Sequence, residues 1–174
     1  MLLALCAGLR RREIDLLEWS AFRWDEGILR IETTAYFNAK SEDSIGDVAI
    51  DPEIMTLFRG YRAKATSTFV IESSIGPRPG AAWMHYRCRS MFKRLSGWLR
   101  AHGVKSRTPL HTLRKEFGSI INQQYGIHAA SSALRHADLA ITSQHYVDSR
   151  NRAAVGLGYL LSGNKIVPLD AAAG

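Results

Sequence analysis

Four side chains between residues 111 and 146 are of types that can converge on one phosphate group: His111, Arg114, His136 and Tyr146. A guanidinium fork can bind two phosphate oxygens at once, and an imidazole can donate to a nonbridging oxygen or accept a proton. The sequence offers no carboxylate cluster suited to Mg²⁺, so protein cations would have to stabilise the charge on the transition state. These residue types can therefore bind a phosphate group without a metal or a cofactor.

The segment that follows Pro109 is expected to carry the first two of these residues on a helix. Apolar residues recur there at helical spacing, and a glycine follows as a stop: they are Leu113, Phe117, Ile120, Ile121 and Gly126. His111 and Arg114 are three residues apart, so they share a face, which is turned away from the apolar stripe. Taken alone, such a pair is more often a solvated surface, and a tyrosine such as Tyr146 is more often half-buried packing.

Taken together, these residues resemble the second signature box of the tyrosine recombinase (phage integrase) family, in which HxxR precedes a Leu-x-His and a tyrosine. The segment AGLRRREIDLLEW resembles the first box, G-L-R-x-x-E-L, which makes Arg10 the first arginine and Glu13 its acidic neighbour. Between the boxes the family carries a lysine on a β-hairpin, and Lys40 is the only lysine in the segment that could form it. The resemblance covers residues 2–148, and six ordered residues are far more specific than one box.

This resemblance implies a site-specific DNA recombinase or integrase. Its catalytic residues would be Arg10, Lys40, His111, Arg114, His136 and Tyr146, with Glu13 in support. Tyr146 would form a 3′-phosphotyrosyl intermediate with DNA, and Lys40 would protonate the leaving 5′ oxygen. The tyrosyl phosphate conserves the bond energy, so the strand could be rejoined without ATP. Two other interpretations stay open: a type IB topoisomerase-like strand-passage enzyme, and a DNA-binding remnant of an integrase that no longer cleaves.

Two departures from the family pattern lie close to the last catalytic residues. Arg135 stands where the family usually has glycine before the histidine, and the interval from His136 to Tyr146 is at the longer end of the family's range. Arg135 would either crowd the phosphate pocket or add a phosphate contact. Arg135 and the missing front end motivate the non-cleaving alternative, and the intact set of six residues argues against it.

The distribution of charge predicts a double-stranded DNA partner. The formal net charge is +7 and the isoelectric point is near 9.7. Residues 73–115 contain ten Lys or Arg and no acid, whereas eleven of the sixteen acids fall between residues 13 and 53. One face of the protein should therefore be strongly positive. The predicted DNA-binding residues are Arg87, Arg89, Lys93, Arg94, Lys115 and Arg135.

The periodicities predict a mixed fold, mainly α-helical, with a small antiparallel β-sheet near the N-terminus, and the resemblance implies the tyrosine recombinase catalytic-domain fold. Strands are expected at residues 29–33 and 48–50, joined by a hairpin over 34–47 that carries Lys40. Helices are expected at 12–19, 52–61 and 86–102. The last of these should bury one apolar stripe: Cys88, Met91, Phe92, Leu95, Trp98 and Leu99.

The chain is expected to be a single catalytic domain over residues 1–174, with 147–174 as a C-terminal tail. It would begin after the family's N-terminal DNA-clamping domain, which is absent from this sequence. The tail contains an apolar patch at 155–161, and we expect a monomer in solution that forms a tetramer on recombination sites. Two cysteines without a disulfide pattern, and an apolar run at 1–9 too short to cross a bilayer, predict the cytoplasm of a prokaryotic cell or a phage or mobile-element protein, with no membrane partner.

Overall fold

A computed structural model describes residues 1–39, 44–78 and 85–136 of the chain. Lys40, Tyr146 and the tail over 147–174 lie outside the described residues. The helices are α1 (Leu2–Leu5), α2 (Arg11–Leu16), α3 (Pro52–Arg62), α4 (Arg89–Ala101) and α5 (Pro109–Leu134), and the strands are β1 (Phe22–Arg23), β2 (Ile28–Ile31) and β3 (Gly46–Ala49). The predicted mixed, mainly helical fold with a small antiparallel sheet is confirmed.

The sheet has the order β1-β2-β3, and both strand pairs are antiparallel. Leu29 pairs with Phe22 on one side and with Val48 on the other, and all three side chains are buried. Because side chains alternate along a strand, this register places the apolar residues on the core face. The predicted strands each begin one or two residues too late. The two-residue β1 is too short for any periodicity to predict.

Helix α4 starts later than predicted and buries a narrower stripe. Phe92 and Leu99 are buried, but Met91 is 45% exposed and Trp98 is 49% exposed. The prediction that these last two belong to the core is therefore wrong, because only one side of α4 contacts the rest of the described protein. Trp98 instead stacks on His102, with ring centroids 4.1 Å apart.

The start of α4 is fixed by a buried aspartate on α2. The two carboxylate oxygens of Asp15 accept hydrogen bonds from the backbone N–H groups of Arg87 (2.9 Å) and Cys88 (2.8 Å). The guanidinium of Arg87 donates to the Asp15 carbonyl at 2.7 Å and lies 3.8 Å from the centroid of the Phe69 ring. Cys88 belongs to the core, and its burial raises the pKa of its thiol to about 12.

Helix α5 runs along the first segment of the chain. It is interrupted at Gly126 (φ 83°, ψ 172°), where the sequence predicted a stop. Gly8, in the segment between α1 and α2, has φ 58°, and a Cβ atom placed there would lie 2.4 Å from Cδ1 of Phe117 on α5. Only glycine fits this backbone conformation and this distance without strain. The segment that carries Arg10 can therefore lie directly against α5. None of the described helices is long and apolar enough to cross a membrane.

Candidate active site

A cleft of about 1020 Å³ opens between the start of α2, the cationic side of α4 and both ends of α5. In the described part of the chain, its lining contains two histidines, no Asp or Glu, and eight Lys or Arg: Arg10, Arg11, Arg89, Lys93, Arg100, Arg107, Arg114 and Arg135. Such a concentration of one charge in a concave surface attracts a polyanion. The cleft is therefore the strongest candidate for a phosphate-backbone site.

Arg10 is the residue immediately before α2. Its backbone N–H donates to Oε2 of Glu13 at 2.7 Å, and its Nη1 donates to Oε1 of the same carboxylate at 2.8 Å. A Glu at the third helical position that binds the backbone of the capping residue is half of a capping box. Glu13 is only 3% exposed, whereas the side chain of Arg10 is 36% exposed. These two hydrogen bonds fix Arg10 through its backbone N–H and its Nη1, and part of the side chain stays accessible to the cleft.

Arg114 lies one turn into α5 and is 3% exposed. Its Nη1 donates to the Gly8 carbonyl, and its Nη2 donates to the Leu134 carbonyl at 2.5 Å. The two carbonyls belong to the segment before α2 and to the far end of α5. His111 is exposed, but the interpretation of this pair as a solvated surface is wrong for Arg114, because tertiary packing covers it. Both residues nevertheless line the cleft.

His136 reaches the same cleft from the C-terminal end of α5. Its backbone N–H donates to the Ser131 carbonyl at 3.1 Å, and that of Arg135 donates to the Ser132 carbonyl at 2.9 Å. These two bonds form a Schellman motif, in which the residue after the helix adopts the left-handed conformation. Arg135 has φ 52° and ψ 56°. The turn brings His136 back over the helix end, and it explains why a glycine is the ordinary residue at position 135.

Arg135 lines the cleft, but its guanidinium is bonded to groups of the protein. It is 5% exposed, its Nη2 donates to Oε2 of Glu13 at 2.7 Å, and its Nε donates to the Ser44 carbonyl at 3.3 Å. Burial lowers the pKa of this guanidinium, and the charge of Glu13 opposes that effect. Two of its nitrogen atoms are bonded inside the protein, and the prediction that Arg135 contacts DNA stays a prediction.

Four of the six predicted catalytic residues thus line one cleft: Arg10, His111, Arg114 and His136. Lys40 and Tyr146 lie outside the described residues, so the predictions for them stay predictions. Ser44 follows the undescribed segment 40–43 and also lines the cleft.

The predicted DNA-binding residues fall into three groups. Arg89 and Lys93 are exposed on α4 and line the cleft, and Arg94 is exposed on the same helix. Lys115 is half-buried on α5 and is not part of the cleft lining. Arg87 is 2% exposed and is bound to Asp15, so the prediction that it binds DNA is wrong.

Sequence reasoning missed Arg11 and Tyr86 at the same cleft. Arg11 is exposed, and its guanidinium lies 4.0 Å from the centroid of the Tyr86 ring and 4.9 Å from that of Phe92. Aromatic rings hold a guanidinium in place by a cation–π interaction while its edge stays accessible. The only sequence signal was the position of Arg11 beside Arg10 in a run of three arginines.

The described residues contain no group of three or more His, Cys, Asp or Glu that could hold a metal ion. The arrangement that the structure does contain is cationic: guanidinium and imidazole groups around a space that can accept phosphate oxygens. Such groups can neutralise the charge of a pentavalent phosphorus and donate hydrogen bonds to its oxygens.

Comparison with known proteins gives the chain a family and a fold. The model of the phage integrase family matches residues 1–152. A search of curated proteins finds no match. Among solved structures, the XerA recombinase is similar with a TM-score of 0.64 and 16% identity, over 94% of this chain and 56% of that one. An integrase of the transposon Tn1549 in complex with transposon right end DNA is similar with a TM-score of 0.61 and 14% identity, over 92% and 55%.

The same Tn1549 integrase in complex with circular intermediate DNA is similar with a TM-score of 0.60 and 16% identity, over 92% of this chain and 57% of that one. At these identities the likeness concerns the fold, which is that of the tyrosine recombinase catalytic domain. This chain spans a little over half the length of the three solved chains.

Proposed function

This chain belongs to the phage integrase family, and we propose that it is the catalytic domain of a site-specific DNA recombinase that cleaves and rejoins DNA through a 3′-phosphotyrosyl intermediate. The observation that carries the proposal is the convergence of Arg10, His111, Arg114 and His136 on one acid-free cleft. These residues come from three separate parts of the sequence, and folding brings them to one space of the right charge. The DNA-bound Tn1549 integrase structures add support for DNA as the partner.

In the proposed reaction, the phenol oxygen of Tyr146 attacks a DNA phosphorus and the bond from phosphorus to the 5′ oxygen breaks. The guanidiniums of Arg10 and Arg114 bind the nonbridging oxygens, on which negative charge accumulates in the transition state. His136 donates a hydrogen bond to a nonbridging oxygen, and His111 does the same or accepts the phenol proton. Lys40 gives a proton to the leaving 5′ oxygen. The tyrosyl phosphate keeps the bond energy, so attack by a 5′ hydroxyl reverses the steps without ATP.

The orientation of Arg135 weakens the case for a remnant that only binds DNA. That alternative rested in part on Arg135, whose guanidinium donates to Glu13 and to the Ser44 carbonyl. We further propose that the free chain is a monomer and that tetramers form on a recombination site. The apolar patch at 155–161, outside the described residues, is the proposed contact between neighbours.

Covalent capture of DNA tests the proposal. A suicide substrate with a nick close to the cleavage site should trap the wild-type chain on DNA as a product that resists detergent. Tyr146→Phe should abolish this product and leave salt-sensitive binding nearly intact, because it removes one hydroxyl and no cation.

Tyr125→Phe is the matched control, since Tyr125 is a 70% exposed tyrosine on α5 and should leave capture unchanged. Capture that persists in Tyr146→Phe would assign the nucleophile elsewhere. Binding without capture by the wild-type chain would favour the remnant. Relaxation of supercoiled plasmid without strand exchange would favour the topoisomerase-like alternative.

A further inference from the structure

Arg135 combines two features that each cost stability. Its backbone is left-handed, with φ 52°, a conformation that is strained for a residue other than glycine. Its guanidinium is 5% exposed, and its Nη1 has no hydrogen-bond partner among the described residues. A glycine at this position would avoid both costs and would complete the same helix-ending turn. The contacts of the side chain should therefore contribute something that the turn itself does not need.

Those contacts converge on the carboxylate that holds Arg10. Oε1 of Glu13 accepts a hydrogen bond from Nη1 of Arg10 at 2.8 Å. Oε2 of Glu13 accepts a hydrogen bond from Nη2 of Arg135 at 2.7 Å. The second guanidinium thus fixes the orientation of the carboxylate from the buried side. Nη2 of Arg10 also donates to the backbone carbonyl of Arg135 at 3.0 Å. Arg10 is therefore held at both Nη atoms by a unit that consists of Glu13 and residue 135.

The charges of this unit matter for a phosphate ligand. One carboxylate shared by two guanidiniums leaves a net charge of +1, whereas Glu13 and Arg10 alone would be neutral. Both carboxylate oxygens of Glu13 accept hydrogen bonds. The guanidinium of Arg135 neutralises part of the negative charge of Glu13, which would otherwise be compensated by Arg10 alone. Because these groups are largely buried, water screens the difference less than it would at the surface.

We propose that Arg135 is a positioning residue, which acts through Glu13 to keep Arg10 oriented and electrostatically available for the scissile phosphate. This inference rests on the proposed function. It concerns a position where the family pattern has glycine, so it describes a device of this chain. Arg135 also donates from Nε to the carbonyl of Ser44, four residues after Lys40. A second route of action, through the lysine segment, must therefore be separated from the route through Arg10.

Arg135→Gly is the sharpest variant, because it keeps the left-handed turn and the backbone carbonyl and removes only the side chain. We expect the rate of suicide-substrate cleavage to fall by between about tenfold and about 10²-fold. The upper value is the loss in rate that a misplacement of about 1 Å can cause. The DNA dissociation constant should change by less than about twofold, because the guanidinium of Arg135 is bonded to Glu13 and Ser44. Arg135→Lys should give an intermediate rate, since an ammonium can neutralise Glu13 but lacks the planar guanidinium geometry that fixes the orientation of its carboxylate.

Lys64→Ala is the control for the loss of one positive charge, because Lys64 is exposed beyond the end of α3 and does not line the cleft. It should cleave at the wild-type rate. Thermal unfolding of each variant shows whether it is folded. If Arg135→Gly does not fold, Arg135→Lys decides, and a wild-type rate in the folded lysine variant would overturn the proposal.

A substrate with sulfur in place of the bridging 5′ oxygen separates the two routes, because a thiolate leaves without needing a proton. The defect of Arg135→Gly should persist on this substrate if Arg135 acts through Arg10. Full rescue by sulfur would place the action on the lysine segment and would overturn the assignment to Arg10. A wild-type rate in folded Arg135→Gly would also overturn it. Absence of capture by the wild-type chain is a different result, which would reject the proposed function itself.

Discussion

Arg10 and Arg114 carry the same group but are anchored in different ways. Arg114 is buried and donates to the carbonyls of Gly8 and Leu134, so it joins two segments that are distant in sequence. Arg10 is held by the side chain of Glu13 and keeps part of its surface accessible. Loss of Arg114 would leave two backbone carbonyls without their donor, whereas loss of Arg10 would leave one. The two arginines should therefore differ in their effect on stability while they share an effect on cleavage.

We predict that Arg114→Lys and Arg10→Lys each lower the cleavage rate by about 10²- to 10³-fold, the usual cost of removing one transition-state donor. An ammonium cannot bind two phosphate oxygens as a guanidinium fork does. Arg114→Lys should also lower the melting temperature, because a carbonyl that loses its donor costs about 1–3 kcal/mol when buried. Single-turnover cleavage and thermal unfolding measure the two effects. Near-normal cleavage by folded Arg114→Lys would refute its bidentate role.

Helix α5 organises the cleft because both of its ends contribute to it. Its first turns supply His111 and Arg114, and the turn at its C-terminal end supplies His136. The segment between α1 and α2 crosses it at Gly8, where no side chain fits between the backbone and Phe117. The Gly8 carbonyl is also a partner of Arg114. The distance between the two arginines thus depends on how closely this segment packs on α5.

Substitution of Gly8 by alanine should therefore reduce both stability and cleavage. The new Cβ would lie 2.4 Å from Cδ1 of Phe117, and φ 58° is strained for alanine. Gly97→Ala is the matched control, because Gly97 lies inside α4, where an added Cβ would meet no other described part of the chain within 4 Å. It should stabilise the protein by up to about 1 kcal/mol, from helix propensity. Melting temperatures that move in the same direction for both variants would contradict this account of Gly8.

For the molecule as a whole, charge is segregated in space as well as in sequence. The acid-free residues 73–115 supply α4 and the approach to α5, and five of their cations line the cleft: Arg89, Lys93, Arg100, Arg107 and Arg114. Among the buried acids near the N-terminus, the carboxylate of Glu13 is bound by Arg10 and Arg135, and that of Asp15 accepts the backbone N–H groups of Arg87 and Cys88. The exposed cations that line the cleft are thus available to a polyanion, while buried arginines form hydrogen bonds within the protein.

We predict that the logarithm of the DNA association constant falls linearly with the logarithm of salt concentration. Alanine at Arg89 or Lys93 should each reduce the slope by about 0.9, the contribution of one neutralised phosphate. Arg87→Ala should leave the slope unchanged and lower the melting temperature, because Arg87 is buried against Asp15. Fluorescence anisotropy over a salt series measures the slopes. Binding that is insensitive to salt would reject the nucleic-acid interpretation.

The sequence by itself determined the properties that depend on residue order and on short spacings. These include the phosphate-binding residue types in their order, the helical and strand periods, the helix break at Gly126 and the segregation of charge. Such properties are local, so periodicity and composition reveal them. The sequence predicted the first and last residues of the helices less accurately. Contacts that end or start a helix come from other elements, as those of Asp15 do at the start of α4.

Only the tertiary structure decided which cations face a ligand. The guanidinium of Arg87 is bound to the Asp15 carbonyl and that of Arg135 to Glu13, whereas Arg114 is bound to the carbonyl of Gly8 and still lines the cleft. Each partner is more than 70 residues away in sequence, so no local pattern could pair them. A buried charge must be compensated by another group, and folding selects the compensating group by proximity in space. For this reason composition predicted a basic surface, and three-dimensional contacts determined which residues form it.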